Sequence, residues 1–193
     1  SQYRMLVLLV VVAAAAAAGG TQGWRYYQNK QALEAGELYS QLQGAVGSRD
    51  AKKVQDIAAV MTERYASTSY AVFAALAGAK VAYDGADLAT ARARLQWALE
   101  NAKEDEMREI ARLRLAMVLL DEKQYDEALR MLESAHGEAM SALYADLKGD
   151  VLAAQGKNPE ARGAYQLALD KSDAGSPYRS MIQIKLDALG ELK

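Results

Sequence analysis

Ala91, Ala128 and Ala161 stand 37 and 33 residues apart, each at the same place in a stretch that reads as two amphipathic helices joined by a short turn. The clearest copy is Ile110 to Ala135, IARLRLAMVLLDEKQYDEALRMLESA, with its turn around Lys123, Gln124 and Tyr125. VAYDGADLATARARLQWALENA and VLAAQGKNPEARGAYQLALD repeat its punctuation upstream and downstream. Starting the copies at Val72, Glu109 and Ala142 puts Ala79, Ala116 and Gly149 at the eighth position and the three reference alanines at the twentieth. Ala98, Ala135 and Ala168 fall at the twenty-seventh. Helices that cross closely need small side chains at the crossing points, because a larger one forces them apart. Leu95, Leu132 and Tyr165 supply bulk at the twenty-fourth position. A recurring hairpin of this kind cannot bury its apolar face alone, so stacked copies share one continuous core.

The spacing brackets the roughly 34-residue period of a tetratricopeptide helix-turn-helix, although the usual Trp at the fourth position is replaced by Ala75, Arg112 and Ala145. The expected fold class is all-α, with no sheet. Alanine is abundant, prolines are confined to Pro159 and Pro177, and β-branched and aromatic alternation is scarce. Ser69 and Asn158 read as N-caps, Asp87 marks another second-helix start, and Pro159 takes the first helical position. Upstream, residues 29–46 place Ala32, Leu33, Ala35, Leu38, Tyr39, Leu42 and Val46 on one helical stripe, and a partner helix starts at Asp50. The expected organisation is an N-terminal anchor over residues 1–25 and a repeat domain over 26–193. Within it, a degenerate repeat covers about 29–66, full repeats about 69–101, 106–137 and 141–173, and a capping helix about 177–190.

Met5 to Val12 is MLVLLVVV, followed by six alanines and Gly19-Gly20. Tyr3 to Trp24 is long enough to span a bilayer with Arg4 at one boundary and Arg25 at the other, since about 20 predominantly apolar residues suffice. In this reading Met5, Leu6, Leu8, Leu9 and Val12 face lipid, while Trp24, Arg25 and Tyr26 mark the membrane interface. The competing reading is a secretory signal peptide cut within the alanine run, around Ala16. Arg4 alone precedes the segment and Arg25 and Lys30 follow it, a local count that runs against export of the C-terminal part.

A repeat scaffold works through its exposed faces. In the tetratricopeptide register the first helices line a groove, which selects Phe73, Leu76, Lys80, Tyr83 and Asp84, then Ile110, Leu113, Met117, Leu120 and Asp121, then Leu143, Asp146 and Asp150. An apolar groove with acidic edges suits a protein partner. The formal charge of −2 provides no footprint for nucleic acid. Without cysteine there is no thiolate metal site or cysteine nucleophile. His136 lies in a loop beside Gly137 with no spacing that supplies a nucleophile or orienting carboxylate. The acidic run Glu104, Asp105, Glu106 and Glu109 lacks calcium-loop spacing. Ala77-Gly78-Ala79-Lys80 sits inside a helix pattern, away from any phosphate-loop context. The expectation is a non-enzymatic protein with no cofactor and no metal.

An apolar segment, then GWRYY at Gly23 to Tyr27, then RLRLAMVLLDEKQYDEAL from Arg112 to Leu129 and DLKGDVLAAQGK from Asp146 to Lys157, with Ala161-Arg162 and Tyr165 beyond, resembles the YfgM family of bacterial ancillary SecYEG translocon subunits. The resemblance spans nearly the whole chain. It implies a cytoplasmic N-terminal tail, a single pass through the bacterial inner membrane and a periplasmic repeat domain. It further implies association with the SecYEG translocon and the periplasmic chaperone PpiD, with emerging polypeptides as further clients. A secreted or envelope-assembly scaffold with a cleaved N-terminus is the alternative.

Overall fold

The computed structural model describes residues 2–190, with side chains described at Tyr3 and from Thr21 onward. Among the described residues there are nine α-helices and no strand. They are α1 (Gln2–Gly47), α2 (Ala51–Arg64), α3 (Ser69–Asp84), α4 (Leu88–Asn101), α5 (Asp105–Asp121), α6 (Tyr125–Leu132), α7 (Ser141–Ala154), α8 (Asn158–Lys171) and α9 (Tyr178–Ala188), with a 3-10 turn at Glu138–Met140 before α7. Consecutive helices pack as antiparallel hairpins. The first helices α1, α3, α5 and α7 lie side by side along one face.

The four hairpin turns share one backbone solution. Arg49, Ala86, Lys123 and Gly156 adopt φ of 56°, 60°, 60° and 73°. After each, an amide reaches back five residues: Asp50 N–H to the Ala45 carbonyl, Asp87 to Ala82, Gln124 to Leu119 and Lys157 to Leu152, at 2.8–2.9 Å. This is the Schellman closure, which satisfies carbonyls that a helix end leaves open. Its recurrence after α1 marks the first hairpin as a copy of the later ones, although only the last turn has the glycine that makes a left-handed residue cheap.

Helix starts are set locally. Asp50 and Asp87 accept the amide hydrogens of Lys53 and Thr90, both at 3.0 Å. The expected cap at Ser69 belongs to Thr68, whose hydroxyl accepts from the Ala71 amide. Ser69 is already in the helix and donates instead to Glu104. Asn158 likewise opens α8 without capping it, while Pro159 occupies the first turn, where its missing N–H costs nothing.

The small-residue register governs the packing. Ala79, Ala91, Ala98, Ala116, Ala128, Ala161 and Ala168 are all buried, as is Gly149, and the bulky Leu95, Leu132 and Tyr165 are buried beside them. A Cβ on Gly149 would stand 2.4 Å from the Tyr165 ring, so the α7–α8 crossing takes the place of the missing side chain. Ala135 departs from the register: it is exposed, because α6 ends at Leu132 and the chain has left the helix before the twenty-seventh position. On α1 the buried stripe runs through Ala35, Leu42 and Ala45. Leu33 and Val46, expected on that stripe, are exposed, because the burial phase of the helix favours Ala45 and packing against α3 begins only near Gly36.

α1 continues without a break through the boundary expected at residue 25. Among the described residues no helix is long and apolar enough to cross a membrane. The side chains of Met5, Leu6, Leu8, Leu9 and Val12, on which the anchor expectation rests, lie outside the described residues. Trp24, Arg25, Tyr26 and Tyr27 are exposed on the part of α1 that precedes the hairpin contacts, with the Trp24 and Tyr27 rings 6.1 Å apart.

Candidate protein-binding groove

Two adjoining clefts open along the first-helix face. The smaller, about 210 Å³, lies between α3 and α5 and is lined by Lys80, Tyr83, Asp84, Leu95, Arg114, Met117 and Val118. The larger, about 520 Å³, runs on toward the α1–α2 turn past Leu76, Val81, Val54, Val46 and Arg49. Lys80, Asp84 and Arg114 border both, so the two form one groove with a charged waist. Residues three and four apart on a helix share a face. This places Leu76, Lys80, Tyr83 and Asp84 together on α3, and Arg114, Met117 and Asp121 in line on α5.

The polar rim is internally ordered. Lys80 Nζ pairs with Asp84 at 2.8 Å. The Tyr83 hydroxyl donates to Asp121 at 2.5 Å, tying α3 to α5. That hydrogen bond, assisted by partial burial and the negative charge of Asp121, pushes the Tyr83 phenol up to about 12, so it remains a donor at any physiological pH. Met117 keeps 39% of its surface exposed, so its flexible thioether side chain is open to a partner at the cleft.

Of the expected groove residues, the structure brings Leu76, Lys80, Tyr83, Asp84, Met117 and Asp121 to the clefts. Ile110, Leu113 and Leu120 are half-buried against the central core and line neither cleft. Phe73 lies to one side, its ring 5.8 Å from that of Tyr39 on α1. Arg114 and Arg49 were not among the expected residues. Arg114 is legible in retrospect, four residues after Ile110 and three before Met117, whereas Arg49 borders the groove from a left-handed turn.

The model of the tetratricopeptide repeat-like domain matches residues 1–191. A relative from Neisseria gonorrhoeae is 34% identical over 174 residues, covering 88% of this chain and 83% of its own length. One from Escherichia coli is 32% identical, covering 86% and 81%, and one from Haemophilus influenzae is 33% identical, covering 88% and 83%. Each of the three is named an ancillary SecYEG translocon subunit. This chain belongs to that family.

In this member of the ancillary subunit family the groove stops short of α7. Asp146 and Asp150, expected as exposed groove acids, are instead engaged by the capping helix. Asp146 is 4% exposed, accepts from the Tyr178 hydroxyl and pairs with Lys185 Nζ at 2.8 Å. Lys185 also reaches Asp150 at 2.8 Å, and Asp150 accepts from the Tyr165 hydroxyl at 2.8 Å. Burial and these acceptors both push the Tyr165 and Tyr178 phenols up. Leu143, beside them, is half-buried. The repeat face of this chain is therefore closed by α9 at one end and open at α1–α5. His136 stacks on Tyr144 with centroids 4.2 Å apart, and its Nδ1 lies 3.0 Å from the Ser134 carbonyl, so it serves as a packed loop residue.

Proposed function

We propose that this chain is an accessory subunit of the SecYEG translocon, a non-enzymatic adaptor that holds a periplasmic chaperone of the PpiD kind, or an emerging polypeptide, in its first-helix groove. The observation that carries the reading is the similarity over most of the chain to relatives that bear that name. The open groove around Tyr83 and Met117 supports it, because an exposed methionine beside an aromatic can repack around varied apolar side chains. In this reading residues 3–24 anchor the chain in the bacterial inner membrane, and the exposed Trp24, Tyr26 and Tyr27 sit at the headgroup level. The repeat domain is then periplasmic, and tethering it beside the translocon raises its effective concentration at the exit site.

Affinity purification of the full chain from mildly solubilised membranes tests this. SecYEG and a periplasmic chaperone should be recovered together with a chain whose N-terminus is intact. Met117→Asp should lose the chaperone while keeping its melting temperature, because the side chain is already partly in water. Recovery of a soluble chain cut near Ala16, without SecYEG, would overturn the reading in favour of a secreted scaffold.

A further inference from the structure

The groove is basic at its waist although the chain as a whole is acidic, with a formal charge of −2. Arg49, Lys80 and Arg114 border the larger cleft against a single carboxylate, Asp84. That carboxylate is already neutralised by Lys80 at 2.8 Å. Arg92, Arg94 and Arg112 are all bonded elsewhere in the fold, to Glu122, Gln55 and the Ala135 carbonyl. By contrast, the guanidinium groups of Arg49 and Arg114 make no hydrogen bond or ion pair among the described residues, and both border the cleft.

We infer that this cleft takes a polypeptide segment in which acidic side chains alternate with apolar ones, its carboxylates seated on Arg49 and Arg114 and its apolar side chains against Val54 and Leu76, with Met117 in the adjoining cleft beyond. The inference rests on the reading of this face as a protein-binding groove and names the chemistry of its occupant. A guanidinium presents a planar fork of donors that matches a carboxylate in two parallel hydrogen bonds. Arg49 projects from a turn whose backbone is held by the Asp50 amide bonding to the Ala45 carbonyl at 2.9 Å, so the ordering that an arriving acid must impose is confined to the side chain. Burying a leucine-sized side chain between the two arginines adds affinity that a purely acidic segment lacks. A basic segment meets like charge at the waist and is rejected.

The test uses the full chain in detergent micelles and three fluorescein-labelled peptides of alternating Leu with Glu, Gln or Lys, followed by anisotropy. The Glu peptide binds about tenfold or more tightly than the Gln peptide, and the Lys peptide binds weakest. Arg49→Glu with Arg114→Glu turns the preference toward the Lys peptide. Arg49→Gln with Arg114→Gln, a milder pair for the fold, removes the preference for Glu over Gln. Equal affinity for the Glu and Gln peptides, no saturable binding of any peptide, or a Glu preference that survives both pairs of substitutions overturns the inference. If the charge variants still capture the chaperone that Met117→Asp loses, the groove reading stands and the acidic occupant falls.

Discussion

Asp146→Ala will lower the stability of the chain by about 2–3 kcal/mol and release α9 first. The carboxylate is the hub of the C-terminal cluster: it accepts from the Tyr178 hydroxyl and holds Lys185 Nζ at 2.8 and 3.0 Å with only 6% of its side chain exposed. Removing one partner of a buried pair costs about 3–5 kcal/mol, because the other charge remains desolvated. Here the cost is reduced, since Lys185 is 29% exposed and keeps Asp150 at 2.8 Å. Urea denaturation gives the loss, and hydrogen exchange locates it in Tyr178–Ala188.

The cluster also sets a pH dependence. Burial alone would lower the Lys185 ammonium, but hydrogen bonds to Asp146 and then Asp150 outweigh it and hold the group above its ordinary 10.5. A raised folded-state value means that the stabilisation is complete below the ordinary lysine range and fades as pH rises through the folded value. Tyr165 and Tyr178 are raised as well and act with the same sign. The stabilities of Asp146→Ala and the unsubstituted chain should therefore converge under strongly alkaline conditions. A gap that stays constant with pH would show that packing, rather than the ion pair, holds α9.

Gly149→Ala should be the most damaging single-methyl insertion in the repeat core. The new Cβ would lie 2.4 Å from two ring carbons of Tyr165 and 2.9 Å from a third. The ring cannot withdraw cheaply, because it is 3% exposed and its hydroxyl is bonded to Asp150. Overpacking of this kind costs about 1–3 kcal/mol. The better helix propensity of alanine returns about 1 kcal/mol, leaving a net loss of up to about 2 kcal/mol, the upper end applying to a contact this short. Gly163→Ala on α8 is the matched control. Nothing lies within 4 Å of its Cβ, so only the propensity gain remains and the melting temperature should rise. Opposite shifts for the two glycines would place the helix crossing at Gly149. Equal shifts would contradict it.

The alanine register was legible because close helix crossings tolerate few residue types, and a pattern that small side chains must repeat survives in the letters. Its failure at Ala135 came from a length the letters do not carry: α6 stops at Leu132, before the expected crossing. The left-handed turns were hidden because Arg49, Ala86 and Lys123 adopt a conformation that sequence reasoning assigns to glycine. Asp146 and Asp150 read as groove acids, but the position of α9 is decided by tertiary packing, and it engages both carboxylates in a bridge to Lys185. With those acids engaged and the Arg49 and Arg114 side chains open, the larger cleft carries three basic residues against one carboxylate, Asp84.

The central claim is that the α3–α5 face receives a protein partner beside the translocon. Site-specific photocrosslinking in living cells tests it most directly, with the reactive residue placed at Met117 in the full chain and, for comparison, at Leu167, an exposed residue on α8 that lines neither cleft. The expected result is a discrete adduct from Met117, to a translocon subunit, its chaperone or a chain in transit, and none from Leu167. No adduct from Met117, or adducts from Leu167 alone, would contradict it.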